Sequence, residues 1–297
     1  MISVILPTYK RYHRLKKAIV SVLNQTYKSF EIIIVDGGCN KKTQQLILSF
    51  CDQRIIYLKN NCHTGVSSSR FLGIKNANYS FVSFLDDDDT WRHDKLQLQY
   101  NVMVNNPRVD LVLCDYIVNN ITTKTKKHIS LQKFETNFKN ILFSPGPFFQ
   151  CSLIKKKHVL NNSLYDLKSS PSEDWDFFIE LSKKNLLVKN LQKPLFTWNF
   201  SCDSQSSNLA QESRAINYII NKHQKHLLRE TSYKNLCVLY RWTAHLYVKC
   251  NNFSLAKKIY RHSLSWNYCD VKSLVFFVLC CAGGENLIKT YLVQNEK

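Results

Sequence analysis

The chain has 297 residues, of which 44% are hydrophobic and 21% are charged. This composition is ordinary for a folded protein and argues against intrinsic disorder. Its 41 Lys and Arg side chains against 22 Asp and Glu give a net charge of +19, which favours anionic partners, although a merely solvated basic surface gives the same balance. No apolar run reaches the roughly 20 residues that cross a bilayer. We expect the longest run, residues 274–282, to form the buried face of a helix.

The 11 cysteines are scattered along the chain and form neither a CxxC pair nor a Cys/His ladder, which disfavours a zinc site. Their odd number, and a strand pattern that starts at Ser3 without a basic leader, indicate free or buried thiols in a reducing compartment. We therefore expect a cytoplasmic protein, whose basic residues also allow peripheral contact with the cytoplasmic face of an anionic membrane.

Short β-rich runs alternate with amphipathic helical stretches up to about residue 120. Because strand–helix–strand alternation gives parallel strands covered by helices, the sequence predicts an α/β fold with a mostly parallel central sheet and flanking helices. The predicted strands are residues 3–9, 30–36, 54–59, 80–86 and 110–118, and the predicted helices lie near residues 14–24, 41–51, 66–77 and 95–105.

The pattern loosens beyond about residue 120. The next predicted elements are a basic hairpin or loop at residues 122–127, a short helix from about Ser172, and paired strands at residues 186–200 that break at Pro194. We expect a catalytic domain over residues 1–205 and a helical C-terminal region over residues 206–297.

The C-terminal region carries 13 Lys and Arg side chains against five Asp and Glu from residue 210 onward, a local net charge of +8. Residues 239–267 resemble a tetratricopeptide-type helix pair, and one such pair is too short for an independent solenoid. We therefore expect a helical appendage that docks on the catalytic domain or lies near a membrane.

Polar residues follow several predicted strands at the point where each strand ends. Thr8 and Tyr9 follow the first strand, Asp36 closes the second, and residues 86–89 follow the fourth. Because ligands of parallel sheets bind at the carboxyl ends of the strands, these side chains are the first candidates for a functional site.

The run Asp86-Asp87-Asp88-Asp89 directly follows a buried-strand pattern. Four adjacent carboxylates repel one another, and Mn²⁺ or Mg²⁺ relieves that repulsion by binding one or two of them together with phosphate oxygens and water. Such an ion neutralises charge on a departing diphosphate. The alternative is an acidic loop that caps the helix starting near His93.

These motifs, taken in order, resemble the inverting glycosyltransferase family 2. The resemblance covers residues 1 to about 200 and is carried by Pro7-Thr8-Tyr9, Val35-Asp36-Gly37-Gly38, Arg70 with Gly73, and Phe84-Leu85-Asp86-Asp87-Asp88-Asp89-x-Trp91. It implies a Rossmann-like GT-A fold and the transfer of a sugar from a nucleotide diphosphate to an acceptor hydroxyl of a glycan, a lipid-linked intermediate or a surface polysaccharide precursor.

The resemblance also implies a role for each matched residue. Asp88 would be the direct metal ligand, and Asp86 would help to hold the ion and face the donor ribose, with Asp87 adjacent to it; Arg70 would lie close to the donor, and Pro7, Thr8, Tyr9 and Asp36 would shape the nucleotide pocket. Two positions depart from the family pattern: Gly37 stands where many members have a second Asp, and Phe71 stands where they have Asn. The choice between a uridine and a guanosine donor therefore stays open.

An inverting transfer needs a carboxylate that accepts the proton of the acceptor hydroxyl, an effect of ~10²–10⁴-fold on the rate. The segment that starts at Ser172 places acidic residues at a helix start, and by the resemblance Asp174 is the base, with Glu173 as the second candidate. Trp175 is a candidate for stacking on a sugar face. The alternative is a capping box formed by Ser170 and Glu173.

Other functions remain as alternatives. A nucleotidyltransferase would show a glycine-rich loop after the first strand, and residues 6–11 contain no glycine. A degenerate family member that binds a nucleotide-sugar or acts as a scaffold stays open because of Gly37. Lys124, Lys126, Lys127 and the run at residues 155–158 are candidates for binding a phosphorylated acceptor or lipid headgroups. Nucleic acid is not expected, because only charge supports it.

Overall fold

A computed structural model of the chain describes residues 1–60, 65–200 and 208–294. It contains two compact units: the first comprises Met1–Leu167 with Glu173–Cys202, and the second Lys168–Ser172 with Asp203–Lys297. The boundary that the sequence predicts between residues 205 and 206 lies outside the described residues.

The first unit is built around a nine-stranded sheet within the described residues. The strands are β1 (Ile2–Thr8), β2 (Phe30–Asp36), β3 (Ile55–Lys59), β4 (Phe81–Phe84), β5 (Thr90–Trp91), β6 (Leu111–Asn120), β7 (Thr125–Ile129), β8 (Leu153–Lys155) and β9 (Val188–Phe200). The helices are α1 (Tyr12–Leu23), α2 (Lys41–Leu48), α3 (Val66–Lys75), α4 (Lys95–Asn105), α5 (Gln132–Thr136) and α6 (Glu173–Ser182), with short 3₁₀ turns between α5 and α6.

The strand order is β3-β2-β1-β4-β8-β6-β9-β5, with β7 paired to β6. Strands β3, β2, β1 and β4 run parallel to one another, and so do β6 and β9, whereas β8, β5 and β7 join antiparallel. All seven residues of β1 and of β2 are buried, as expected for strands covered by helices on both faces. The predicted α/β fold with a mostly parallel central sheet is confirmed.

The prediction of paired strands at residues 186–200 is wrong. This stretch is the single strand β9, which runs parallel to β6 with an irregular register where Asp115 faces Pro194. Proline has no N–H to give to a strand partner and is tolerated where the ladder is already interrupted. The proline therefore marks an irregularity within one strand and does not end it.

Gly73 allows α3 to lie close to the sheet. A Cβ atom at this position would lie 2.6 Å from Ile5 Cγ2 and 3.2 Å from Val35 Cγ2. Both neighbours are β-branched side chains on buried strands and cannot easily move aside. Gly73 therefore fixes the distance between the sheet and the helix that carries Arg70.

We expect Gly73→Ala to lower the free energy of unfolding by about 1–2 kcal/mol, because the added methyl overpacks the core by more than the helix propensity of alanine offsets. Gly37→Ala is the matched control, since the nearest atom to its added Cβ is Tyr9 Cδ2 at 3.6 Å. Urea unfolding of both variants measures the difference. Equal stabilities would show that this close approach does not constrain the fold.

The second unit consists of helices within its described residues. They are α7 (Leu209–Glu230), α8 (Tyr233–Lys249), α9 (Phe253–Trp266), α10 (Val271–Cys281) and α11 (Glu285–Gln294). Helices α8 and α9 form the predicted pair, and Ala244, Tyr247, Ala256 and Tyr260 are buried in one cluster that also takes up Phe276. The predicted helical C-terminal region is confirmed.

The predicted burial of residues 274–282 is wrong. Helix α10 buries Ser273, Phe276 and Cys280, but Leu274, Val275 and Val278 of the same helix are exposed. The run is apolar on all sides, so composition alone could not distinguish the face that packs on neighbouring helices from the face that does not. Among the described helices, none combines the length and hydropathy needed to span a bilayer.

The described cysteines are all free thiols, and Cys114 and Cys151 are fully buried. Burial raises the pKa of both thiols above the ordinary value, which lowers the fraction of reactive thiolate. Cys62 and Cys202 lie outside the described residues.

Candidate active site

Strands β1 and β2 end side by side, with Thr8 in register with Asp36. The Asp36 carboxylate is fully buried and accepts hydrogen bonds from the backbone N–H groups of Gly38 (2.8 Å) and Asn40 (3.1 Å) and from the Tyr57 hydroxyl (2.9 Å). Burial, together with this bond to Asp36, raises the pKa of Tyr57 above its ordinary value. Asp36 thus fixes the turn that follows β2 at the edge of the site.

The residues at the end of β1 differ in their surroundings. Pro7 is buried within the strand, and the buried Thr8 hydroxyl donates a 2.7 Å hydrogen bond to Asp87 Oδ2. Tyr9 is half exposed, with Lys10 Nζ 5.2 Å from its ring centre. Thr8 therefore joins the end of β1 to the acidic run, whereas Tyr9 keeps an accessible ring at the same edge.

The acidic run alternates between buried and partly exposed carboxylates. Asp87 and Asp89 are 0% and 1% exposed, whereas the side chains of Asp86 and Asp88 are 26% and 17% exposed. The Oδ1 atom of Asp89 accepts the backbone N–H of Asn199 at 2.9 Å, which ties β9 to the run. Two of the four carboxylates thus hold the loop in place, and the other two are partly accessible from the surface.

Arg11 is a site residue that the sequence interpretation missed. Its guanidinium lies 2.7 Å from Asp87 Oδ1 and 2.8 Å from Asp88 Oδ2, and Arg14 Nη1 lies 3.7 Å from the same Asp88 oxygen. The signal was present in the sequence, because a basic residue directly after the first strand belongs to the same sheet edge as the acidic run.

Burial dominates the electrostatics of the acidic run. It raises the pKa of Asp87 to about 7, although Arg11 acts in the opposite direction. Burial likewise raises the pKa of Asp88, and it raises that of Asp89 well above the usual range. Because the charged forms are disfavoured without a positive partner, this edge of the sheet favours cations.

Arg70 connects the acidic run to α6. It is almost fully buried, and its guanidinium donates to Asp86 Oδ1 (2.8 Å) and to Glu173 Oε1 (3.1 Å) while lying 4.2 Å from the centre of the Phe149 ring. Burial alone lowers the pKa of Arg70, but the surrounding carboxylates, Asp86 first, raise it above the ordinary value. Arg70 is therefore a permanent cation between two acidic elements.

A second connection passes through two consecutive residues that the sequence interpretation also missed. The backbone N–H of Phe149 donates to Asp174 Oδ1 at 2.5 Å. The side-chain amide of Gln150 donates to Asp86 Oδ2 at 2.5 Å and to Asp89 Oδ2 at 3.2 Å. The structure thus brings Asp174 and Glu173 next to the acidic run, although about 85 residues separate the two motifs in the sequence.

The two acidic residues at the start of α6 have different environments. Burial raises the pKa of Asp174 to about 7, with Arg70 opposing this shift and Glu173 adding to it. Glu173 Oε1 accepts from Arg70, and its Oε2 is buried with no hydrogen-bond partner among the described residues. The Glu173 carboxylate therefore does not act as a helix cap, and the capping-box alternative is wrong.

The prediction that Trp175 stacks on a sugar is wrong. Its side chain is only 2% exposed, and its indole N–H donates to the backbone carbonyl of Ile141 at 2.6 Å. Trp175 directly follows Asp174, so the two side chains point to different sides of α6. The sequence alone could not tell which of these sides faces the core and which faces the cleft.

Most of the predicted lysine run at residues 155–158 makes internal contacts. Lys155 Nζ and His158 Nε2 both lie 3.0 Å from Asp110 Oδ1, and Lys156 donates to the backbone carbonyl of Ala77. Lys157 is the exposed member of the run. The three hairpin lysines are also exposed, and they are Lys124, Lys126 and Lys127.

A parallel sheet that presents carboxylates and arginines at the ends of its strands, with a second acidic pair opposite, fits a transferase that handles nucleotide-activated sugars. The chain belongs to glycosyl transferase family 2, because the model of that family matches residues 3–161, more than half of its length. The predicted family and enzyme class, a glycosyltransferase, are confirmed.

Characterised and uncharacterised relatives agree with this assignment. The chain is 30% identical over 188 residues to the Escherichia coli UDP-Glc:alpha-D-GlcNAc-diphosphoundecaprenol beta-1,3-glucosyltransferase WfgD, a match that covers 62% of this chain and 71% of that protein. It is 27% identical over 231 residues to an uncharacterised glycosyltransferase of Methanocaldococcus jannaschii, covering 76% of this chain and 80% of that protein.

The fold is that of a known crystal structure. The S. aureus TarS fragment 1–349 in complex with UDP-GlcNAc superposes with a TM-score of 0.66 at 15% identity, over 94% of this chain and 90% of that chain. With the family match, this likeness confirms the predicted GT-A fold.

Proposed function

We propose that this protein is a metal-dependent, inverting glycosyltransferase that moves a sugar from a UDP-sugar to a hydroxyl of a lipid-linked glycan. The observation that carries the proposal is the pair of connections through Arg70 and through Phe149–Gln150, which hold the acidic run beside Asp174 and Glu173. In such an arrangement the acidic run can hold the ion that neutralises the leaving diphosphate, while Asp174 or Glu173 accepts the proton of the incoming alcohol.

Unpaired buried atoms support a ligand site at this junction. Arg70 Nε, Gln150 Oε1 and Glu173 Oε2 are buried and have no hydrogen-bond partner among the described residues. Buried polar atoms are nearly always paired in folded proteins. Three unpaired atoms next to Asp86 are therefore what we expect where polar groups of a substrate bind.

The residues present fit a Mn²⁺ or Mg²⁺ ion. Asp86 and Asp88 are the two partly exposed carboxylates of the run. Within the described residues no group of three or more His, Cys, Asp or Glu side chains could hold a metal ion by itself, so the donor and water would have to supply the remaining ligands. One or two carboxylates with phosphate oxygens and water are the usual ligands of such an ion. When bound, it supplies positive charge to the departing diphosphate. Arg11 already provides a cation at Asp88.

Asp174 is the proposed general base. Its pKa of about 7 makes the carboxylate a stronger proton acceptor than an ordinary aspartate while leaving much of it ionised near neutral pH. The acceptor oxygen would attack the sugar from the side opposite the diphosphate, through a transition state with oxocarbenium character. Arg70 orients Glu173 beside this base, and Glu173 is the second candidate for the role.

The nucleotide pocket is proposed to lie at the ends of β1 and β2, where Pro7, Thr8, Tyr9 and Asp36 would shape its wall and Asp86 would face the ribose, with the buried Asp87 adjacent to it. The relatives support a uridine donor and a lipid-linked acceptor, since WfgD is a UDP-Glc:alpha-D-GlcNAc-diphosphoundecaprenol glucosyltransferase and TarS is in complex with UDP-GlcNAc. We propose a cytoplasmic location, in keeping with the free thiols.

Removing the Asp88 carboxylate should reduce the response to metal. We expect Asp88→Asn to need at least about tenfold more Mn²⁺ for half-maximal donor hydrolysis, since a divalent ion would lose a direct ligand. The matched control is Asp94→Asn, which breaks an exposed pair with Arg92 and should leave the Mn²⁺ titration unchanged. An unaltered titration for Asp88→Asn would remove this residue from the metal site.

A panel of UDP- and GDP-sugars, assayed for hydrolysis and for transfer with Mn²⁺, with Mg²⁺ and with EDTA, tests the function as a whole. We expect metal-dependent cleavage of a UDP-sugar, faster in the presence of a diphospholipid-linked acceptor. Binding of donors without cleavage under every condition would instead favour a nucleotide-sugar-binding or scaffold protein.

A further inference from the structure

Helix α10 presents an apolar face that no described part of the second unit covers. Val271, Leu274, Val275 and Val278 are between 44% and 67% exposed, and their spacing places them on one side of the helix. The opposite side packs through Phe276 into the helical core. A soluble helix normally shows the reverse pattern on its outer face, with polar residues toward water.

The exposed face continues onto the next helix. Leu287 and Tyr291 of α11, with Val271, Val275 and Lys272 of α10, line a groove of about 270 Å³. Leu287 is 65% exposed. Contiguous exposed apolar surface of this kind marks an interaction site more often than a random feature of a folded surface.

Charge identifies the partner. Residues 271–284 contain Lys272 and no acidic residue, and Asp270, which precedes them, is neutralised by Arg241 at 2.6 Å. The adjacent helix α9 exposes Lys257, Lys258 and Arg261. From residue 210 onward the net charge is +8, so a second copy of this chain would bring like charge to the contact, whereas an anionic lipid surface would attract it.

Aromatic residues at the start of the face fit the same partner. Tyr268 is 85% exposed and lies in the turn between α9 and α10, two residues after Trp266 at the end of α9. Tyrosine and tryptophan prefer the boundary between lipid headgroups and acyl chains, because each combines an apolar ring with a polar group.

We propose that the α10 face, defined by Val271, Leu274, Val275 and Val278, is a docking surface for an anionic lipid bilayer. The apolar side chains enter the headgroup boundary, and Lys272 of the same helix, which lines the adjoining groove, contacts lipid phosphates. This docking surface rests on the proposed function in one respect: a protein that acts on a lipid-linked acceptor must reach a membrane. It differs from contact through the basic runs at residues 124–127 and 155–158, because it depends on apolar insertion.

The test is flotation of the full chain with vesicles of phosphatidylcholine, with and without phosphatidylglycerol, in the absence of donor and acceptor. We expect the wild-type protein to float mainly with the anionic vesicles. Leu274→Gln combined with Val278→Gln should weaken binding at least about tenfold through lost apolar burial. Lys272→Ser should weaken binding to anionic vesicles about fivefold.

The matched control is Leu48→Gln combined with Val104→Gln, which removes one exposed leucine and one exposed valine from helices of the first unit. This control should float as the wild type does. Equal flotation of both double variants would overturn the proposal. So would a wild-type dimer in solution that Leu274→Gln with Val278→Gln dissociates, because the face would then bind a second copy.

Donor hydrolysis without vesicles separates this inference from the proposed function. The Leu274→Gln and Val278→Gln variant should hydrolyse the donor at the wild-type rate, since neither residue belongs to the acidic site. If no protein cleaves any donor but flotation follows the expected pattern, the proposed function fails and the docking surface stands. If hydrolysis is normal and wild-type protein does not float, the docking surface alone is wrong.

Discussion

Asp174→Asn should lower the rate of sugar transfer by about 10²–10⁴-fold while leaving donor binding close to that of the wild type. The amide cannot accept the proton of the acceptor hydroxyl, but its Oδ1 can still accept the Phe149 N–H that holds the wild-type carboxylate at 2.5 Å. Transfer assays at saturating donor, with donor affinity measured by calorimetry, give the two quantities. Normal turnover by this variant would remove Asp174 from the mechanism.

The same substitution should not destabilise the protein. Burial raises the pKa of Asp174 to about 7, so the folded state disfavours the ionised form that predominates above that pH. Replacing it by a neutral isostere removes that penalty, and thermal unfolding at pH 8 should show a stability equal to or above that of the wild type. Glu180→Gln, which alters an exposed pair between α6 and Lys183 just beyond its end, is the control and should change neither rate nor stability appreciably.

The wild-type pH profile follows from the same shift. A general base must be ionised, so kcat/KM should rise as the pH increases through about 7 and level off above it. Asp87 has a pKa in the same range, and the rising limb will therefore report both carboxylates together. The range from pH 5 to pH 8 extends from about two units below to about one unit above the pKa of Asp174. If kcat/KM did not change over this range, Asp174 would not be the general base.

Arg70→Met should have the largest effect on stability. Glu173 Oε1 is buried against this guanidinium and Asp86 Oδ1 bonds to it on the other side, so removing the cation leaves buried negative charge unpaired. Such a loss typically costs about 3–5 kcal/mol of unfolding free energy. In the fraction that folds, transfer should fall by about 10²-fold, because the two acidic elements would no longer be held in place.

Urea unfolding of three further variants tests this expectation. Arg54→Met breaks a more exposed pair with Asp52 and should cost no more than about 1 kcal/mol. Arg70→Met with Glu173→Gln should recover part of the lost stability, since the buried charge goes with its partner. Arg70→Lys should recover little, because one ammonium cannot reproduce a planar fork that serves two carboxylates. A loss for Arg70→Met no larger than that for Arg54→Met would show that the connection is unimportant.

Several site residues could be located from the sequence because each lies where a strand ends. The apolar run before Asp86 stops abruptly, and so does the run before Asp36, which fixes these carboxylates at the carboxyl edge of a parallel sheet whatever the exact packing. Local periodicity is sufficient to place such strand ends, because it depends on backbone geometry alone. Glu173 and Asp174 begin a helix with a buried apolar side, and their predicted role came from the resemblance to the family.

Gln150 and Asn199 could not be located in this way, unlike Arg11, which directly follows β1. Asn199 meets the acidic run from 110 residues away and Gln150 from 64, and their own neighbours in the sequence form no recognisable motif. Their contacts exist because β8 inserts between β4 and β6 and because β9 returns parallel to β6. Pairings of this kind depend on which strand edges meet, which no local pattern encodes.

The sequence by itself determined the α/β alternation, the family, and the position of the acidic run and of Glu173–Asp174 along the chain, because hydrophobic period and residue type act locally. Only the tertiary structure decided which sides of the helices face the core. It buried Trp175 at 2% exposure and left Val278 of α10 at 52%, the reverse of the sequence prediction for each. The reason is that a helix apolar on several sides buries the side that its neighbours happen to cover, and those neighbours are set by the folding of the whole chain.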